Sequence, residues 1–134
     1  MKRGILACVV GLVMWTVAAT LLNWGLRLGI DGYAAAEPTM RFTLGMMAAR
    51  LTEGAIASLV AGAIVGWITR GSLRVALVLG GITLAVFIPA HVSLWNKFPV
   101  WYHLTFLLTI VPLVMFGSWL TRGRTTVAPA VGAM

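Results

Sequence analysis

RFTLGMMAARLTEGAIASLVAGAIVGWITR, residues 41–70, decides how this chain is read. It is long and apolar enough for a membrane-spanning helix. Gly54, Ser58, Gly62 and Gly66 recur at every fourth position, so they stack on one helix face. Small residues at that spacing let a second helix approach closely, which is how helices associate in lipid. The pattern does not choose between a neighbour in the same chain, a second copy and another protein. Arg50 and Glu53 lie three residues apart and therefore occupy neighbouring sites on one face. A span of roughly 20 residues counted back from Thr69 puts both at or just inside an interface. Two readings follow. One is a structural ion pair, each charge tolerated because the other neutralises it. The other is an anion- or proton-handling pair in the mouth of a helix bundle.

The rest of the composition agrees with a lipid solvent. Of 134 residues, 60% are hydrophobic and 10% charged, where a soluble domain carries roughly 25% charged residues. The length accommodates one domain. The net charge of +7 does not indicate nucleic acid, because the basic residues sit singly or in pairs at the ends of apolar runs. Anchoring and topology account for them. Cys8 is the lone cysteine, so no internal disulfide and no cysteine-pair chemistry is available. It reads as an inert thiol.

Working outward, the sequence predicts an all-α integral membrane protein with four transmembrane helices and short loops. They cover about residues 4–30, 42–69, 73–95 and 100–120, in one domain over 1–121, followed by a flexible tail, 122–134. The first segment opens with Lys2 and Arg3 like a signal peptide, but its apolar run is too long for one. Asn23 and Arg27 close it on one face, with Arg27 reaching toward the interface. The connection 31–39, with Gly32 and Pro38, is turn-rich and suits a short interfacial helix or a lid. Arg70 to Arg74 is a tight connector, which predicts that segments two and three are antiparallel neighbours. Pro89 and Pro112 interrupt the hydrogen bonding of segments three and four.

Basic residues set the expected topology. Lys2, Arg3, Arg70, Arg74, Arg122 and Arg124 fall at one side, and Arg27, Arg41 and Lys97 at the other. That bias predicts both termini in the cytoplasm. Tryptophans then form two belts, Trp24, Trp95 and Trp101 outside and Trp67 and Trp119 inside, with Trp15 mid-membrane. The expected location is a bacterial inner membrane, and no family resemblance is claimed.

With this topology Asn23, Asp31, Glu37, Arg50, Glu53, His91, Asn96, Tyr102 and His103 all project to the outer half. A small-molecule or ion site belongs there, between helices two, three and four. Its ligand or ion candidates are Arg50, Glu53, His91 and His103. The two histidines flank one short connection and could hold a haem iron axially or join Glu53 in a metal site. The plain alternative is that they bond to carbonyls freed by Pro89 or to headgroups, so no cofactor is assigned.

Three functions remain. The first is an accessory or assembly subunit that packs against partner membrane helices through Gly54, Ser58, Gly62 and Gly66, with no catalytic set. The second is a homo-oligomeric small transporter or channel with Arg50 and Glu53 in its pathway. The third is an outer-leaflet haem- or metal-binding redox protein or membrane enzyme. The expected partners are the lipid bilayer and other membrane helices or further copies of the chain.

Overall fold

The computed structural model describes residues 1–122, so the expected tail from residue 123 onward lies outside the described residues. Among those described, the chain is all-helical. Its elements are α1 (Lys2–Gly29), α2 (Tyr33–Ala36), a 3-10 turn (Glu37–Thr39), α3 (Leu44–Thr69), α4 (Leu73–Ser93) and α5 (Val100–Leu120). The four long helices are each long and apolar enough to cross a membrane. At about 1.5 Å per residue, even the 21-residue helices reach the roughly 30 Å of a hydrocarbon core.

Local chemistry sets the ends of these helices. The Thr43 hydroxyl accepts a hydrogen bond from the Met46 amide at 3.2 Å, which caps α3. Helix α3 therefore starts at Leu44 rather than at 42, and Phe42 stays outside it, free to fold back over the bundle end. Ser72 caps α4 in the same way, through the Val75 amide at 3.3 Å. Between them Arg70 and Gly71 both take positive φ, 58° and 81°, and the Gly71 amide bonds back to the Gly66 carbonyl at 2.7 Å. That left-handed turn ends α3 abruptly. At the other end of the bundle α4 stops at Ser93, and residues 94–99 make the turn into α5. We call the two ends of the bundle the Tyr33 end and the Gly71 end.

Helix α3 is the hub, packing mainly against α5 and α1, while α4 packs mainly on α5. Its contact with α4 is slight, although the two are joined by the tight turn. Segments two and three touch beside their turn, but α3 packs mainly on α5, and the small residues are the reason. A methyl group on Gly62 would run into the Val114 carbonyl, and one on Gly66 into Thr121 Oγ1 and the Ser118 carbonyl. The fit is reciprocal, since a methyl on Gly117 of α5 would meet the Leu59 carbonyl of α3. The Gly54, Ser58, Gly62, Gly66 face is therefore covered from within the chain, by α5 and by Trp15 of α1. Trp15 Nε1 donates to Ser58 Oγ at 3.0 Å, and Ser58 Oγ donates to the Gly54 carbonyl at 2.8 Å. That chain satisfies the polar atoms of a tryptophan in the middle of a span.

The dry core is small and made of short side chains, with Ala57, Ala61, Val65, Ala76, Leu79 and Val114 fully buried. Large apolar residues line the outside along every long helix, among them Ile5, Leu21, Leu28, Val86 and Leu108. This inverts the pattern of a water-soluble bundle. Trp24, Trp95 and Trp101 are exposed at the Tyr33 end, and Trp67 and Trp119 at the Gly71 end, which suits two membrane–water boundaries.

Candidate functional site

The polar residues of the spans converge at the Tyr33 end. α3 contributes Arg50 and Glu53 near its start, α4 contributes His91 near its end, and α5 contributes Tyr102 and His103 in its first turn. Antiparallel connection brings these sequence-distant positions to one level. The connection 31–39 folds over them, and Tyr33, the first residue of α2, is completely buried.

Arg50 does not pair with Glu53. Its Nη1 donates to the Tyr33 hydroxyl at 2.8 Å and its Nε to the Tyr102 hydroxyl at 3.3 Å. Its guanidinium also lies 4.8 Å from the centre of the Phe42 ring, a cation–π contact. The cation is thus held by two neutral phenols and an aromatic face. A helix spacing of three permits an ion pair but does not require one, and here the loop and α5 supply better-placed acceptors. The Tyr33 hydroxyl passes the chain on, donating to Asn23 Oδ1 at 2.8 Å. Tyr33, Phe42 and Phe98 are the participants that sequence reasoning missed. Tyr33 sits in a turn-rich, alanine-rich loop, and nothing in its sequence surroundings separates a buried tyrosine from an interfacial one.

An ion pair does join Arg27 to Glu37. Arg27 Nε and Nη2 both donate to the carboxylate, the latter at 3.1 Å, and Asn23 Nδ2 adds a longer contact at 3.4 Å. Arg27 is therefore a clasp on the 31–39 connection rather than a side chain reaching freely for water. These donors hold the Glu37 carboxyl below its ordinary range. A depressed carboxyl contributes stability above its unfolded pKa and loses it as the pH falls through its folded value. Acidification below the normal carboxylate range is thus expected to loosen the connection before the spans. Hydrogen exchange at the Tyr33–Met40 amides should accelerate there, and Glu37→Gln should show the faster exchange already at neutral pH. Burial pushes the Tyr33 hydroxyl up, so it stays a neutral donor throughout that range.

Glu53 forms no hydrogen bond and no ion pair with any described residue. Its carboxyl oxygens are nevertheless not sealed in, because Ser118 Oγ is the one fully buried side-chain polar atom without a partner among the described residues. The carboxyl reaches open space. That space is a cavity of about 200 Å³ between α1, α3, α4 and α5, walled by Trp15, Phe87, Phe98, Tyr102 and Phe106, with Arg50, Glu53, His91 and His103 at its polar side. A second, more open groove of about 370 Å³ runs between the end of α1 and α3, past Asn23, Arg27 and Glu37. Arg50 and Glu53 line both, so they stand where the groove meets the cavity.

The histidines face each other. His91 Nδ1 and His103 Nδ1 are 2.7 Å apart, and His103 Nε2 lies 3.3 Å from the Trp95 carbonyl. A carbonyl only accepts, so His103 Nε2 carries a proton. With a neutral His103, its Nδ1 is then the acceptor and His91 Nδ1 the donor. His91 Nε2 is left as a bare lone pair with no protein partner, and it is not sealed in either. The Trp95 ring is stacked on the His103 ring, with 4.7 Å between ring centres. In this arrangement the two Nδ1 atoms are bonded to each other and neither faces a ligand. Among the described residues no group of three or more His, Cys, Asp or Glu side chains gathers as a metal site.

The structure therefore brings Arg50, Glu53, His91 and His103 to one cavity. Asp31 and Asn96, expected in the same half, do not line it. No family model matches the chain, and no curated protein or solved structure does so either.

Proposed function

We propose that this chain is an integral membrane protein that works as a small, proton-linked transporter or channel, with the Arg50–Glu53 cavity as its solute site. The observation that carries the reading is Glu53, a carboxyl three residues from an arginine that leaves it unpaired and in reach of open space. A carboxyl in a span is costly unless it is paired or reaches water, and such groups mark ion and solute pathways. The neighbouring His91–His103 pair lines the same cavity. Four helices enclose only a short cavity, so a complete pathway calls for more than one copy, packed through the exposed apolar faces. The excess of basic residues at the Gly71 end supports cytoplasmic termini, with the cavity toward the outer face of a bacterial inner membrane.

The accessory-subunit reading had its main support in the small-residue face of α3, and α5 already covers that face. It ranks second. In proteoliposomes carrying a trapped pH-sensitive dye, an imposed pH gradient should collapse faster than in protein-free vesicles. Glu53→Gln should slow the collapse roughly tenfold or more, since it removes the group that takes the proton. Equal rates for wild type, Glu53→Gln and empty vesicles would reject a proton-linked pathway.

A further inference from the structure

The charges of the cavity specify a class of solute. Arg50 has five N–H donors, and the phenols of Tyr33 and Tyr102 take two of them, leaving three without an acceptor among the described residues on a side chain that lines both cavity and groove. Glu53 offers a carboxylate, and His91 offers the Nε2 lone pair. The site therefore presents fixed donors and fixed acceptors that are not bonded to one another, with no pair between Arg50 and Glu53 within ion-pair distance.

A ligand carrying a single charge fits only one side of this arrangement. An organic cation on Glu53 would leave the Arg50 charge facing another positive group, and an anion on Arg50 would face Glu53. A zwitterion meets both, and it leaves the net charge of the site unchanged in a low-dielectric surrounding, where an uncompensated charge is expensive. The cationic end belongs at Glu53 and His91, against the rings of Trp15, Phe87 and Phe106. Aromatic walls of that kind hold ammonium groups. Those rings are locked together, with Trp15 to Phe87 at 4.7 Å and Phe87 to Phe106 at 5.1 Å between centres, so the wall is preformed. The anionic end belongs at the spare donors of Arg50, which binds carboxylate or phosphate oxygens well. A cavity of about 200 Å³ restricts the ligand to a small molecule or the head of a larger one.

We infer that the cavity binds a small zwitterion, an ammonium joined by a short link to a carboxylate or phosphate. The inference rests on the cavity being the solute site. A free betaine or amino acid and the headgroup of a zwitterionic phospholipid share this chemistry. The lateral groove between α1 and α3 gives the second a way in.

The test is binding to the purified full chain in detergent, read by intrinsic tryptophan fluorescence and by calorimetry. The probes are glycine betaine, glycerophosphocholine, tetramethylammonium and acetate. The expected result is saturable binding of at least one of the two zwitterions, with tetramethylammonium and acetate each weaker. Glu53→Gln and Arg50→Lys should each weaken it roughly ten- to a hundredfold, the value of one charge-assisted contact. Circular dichroism and size-exclusion profiles confirm that both variants are folded. If neither soluble zwitterion binds, native mass spectrometry decides the lipid source. Phosphatidylethanolamine or phosphatidylcholine retained by wild type and lost from Glu53→Gln assigns the site to a headgroup. Tetramethylammonium or acetate binding as tightly as the zwitterions, or no soluble probe and no retained lipid, overturns the inference. Glu53-dependent proton flux could persist in that case, so the two readings fail separately.

Discussion

Gly62→Leu is expected to remove most of the folded protein. The α-hydrogen of Gly62 faces the Val114 main chain, and a single added carbon would already overlap the Val114 carbonyl. A flexible side chain could step aside, but the backbone of a helix in mid-span moves only with the helix. Separating α3 from α5 would in turn open the contact of Gly117 with Leu59. Overpacking of this kind costs about 3 kcal/mol, and the value lies toward the upper end where the obstacle is backbone. Size-exclusion of detergent extracts should show the main peak collapsing to aggregate. Gly81→Leu is the matched control, since nothing among the described residues lies near its added carbon, and it should remain monodisperse. Survival of Gly62→Leu would mean that α3 and α5 are not in close contact.

Arg50→Gln carries the second-largest effect. Arg50 ties three parts of the chain together: the 31–39 connection through Tyr33, α5 through Tyr102, and the Phe42 corner before α3. Its loss removes two charge-assisted hydrogen bonds and a cation–π contact. It also leaves the Tyr102 hydroxyl, on a residue only 5% exposed, without a partner. The expected loss is about 2–4 kcal/mol, seen as a lower unfolding temperature in detergent. Tyr33 keeps its bond to Asn23, so the variant should still fold. Arg50→Lys should recover only part of the loss, because one ammonium lacks the fork that spans both phenols. If Arg50→Gln and Glu53→Gln were equally destabilising, the two would be acting as a buried pair. The geometry predicts that Glu53→Gln is nearly neutral for stability.

The four long apolar helices were legible in the sequence because apolar length alone specifies them, and tight turn chemistry marked the α3–α4 connection. Gly54, Gly62 and Gly66 announced a close helix approach but could not name the partner, since spacing carries no information on which neighbour sits there. The gathering of Arg50, Glu53, His91, Tyr102 and His103 at one end followed from counting antiparallel spans. Their bonding did not. Arg50 and Glu53 at a spacing of three look like a pair on any helix, and only the fold of the 31–39 connection shows that Tyr33 takes the guanidinium. Likewise the sequence puts two histidines on either side of a short turn without saying whether they face a ligand or each other. Rotation of α4 and α5 about their axes decides that, and Pro89, two residues before His91, removes the simple periodicity that would have fixed it.

The central claim is that Glu53 is an unpaired carboxyl reached from open space inside the bundle end. Thiol labelling tests it directly. In a Cys8→Ser background, Glu53→Cys and Ala61→Cys each place one thiol on α3, two turns apart. Ala61 is completely buried in the dry core. An anionic, membrane-impermeant methanethiosulfonate added to proteoliposomes should modify the thiol at 53 rapidly, helped by the Arg50 charge beside it, and leave the thiol at 61 untouched. A thiol at position 53 that labels as slowly as the one at 61 would show Glu53 to be sealed in the core, and the account of the cavity would be wrong.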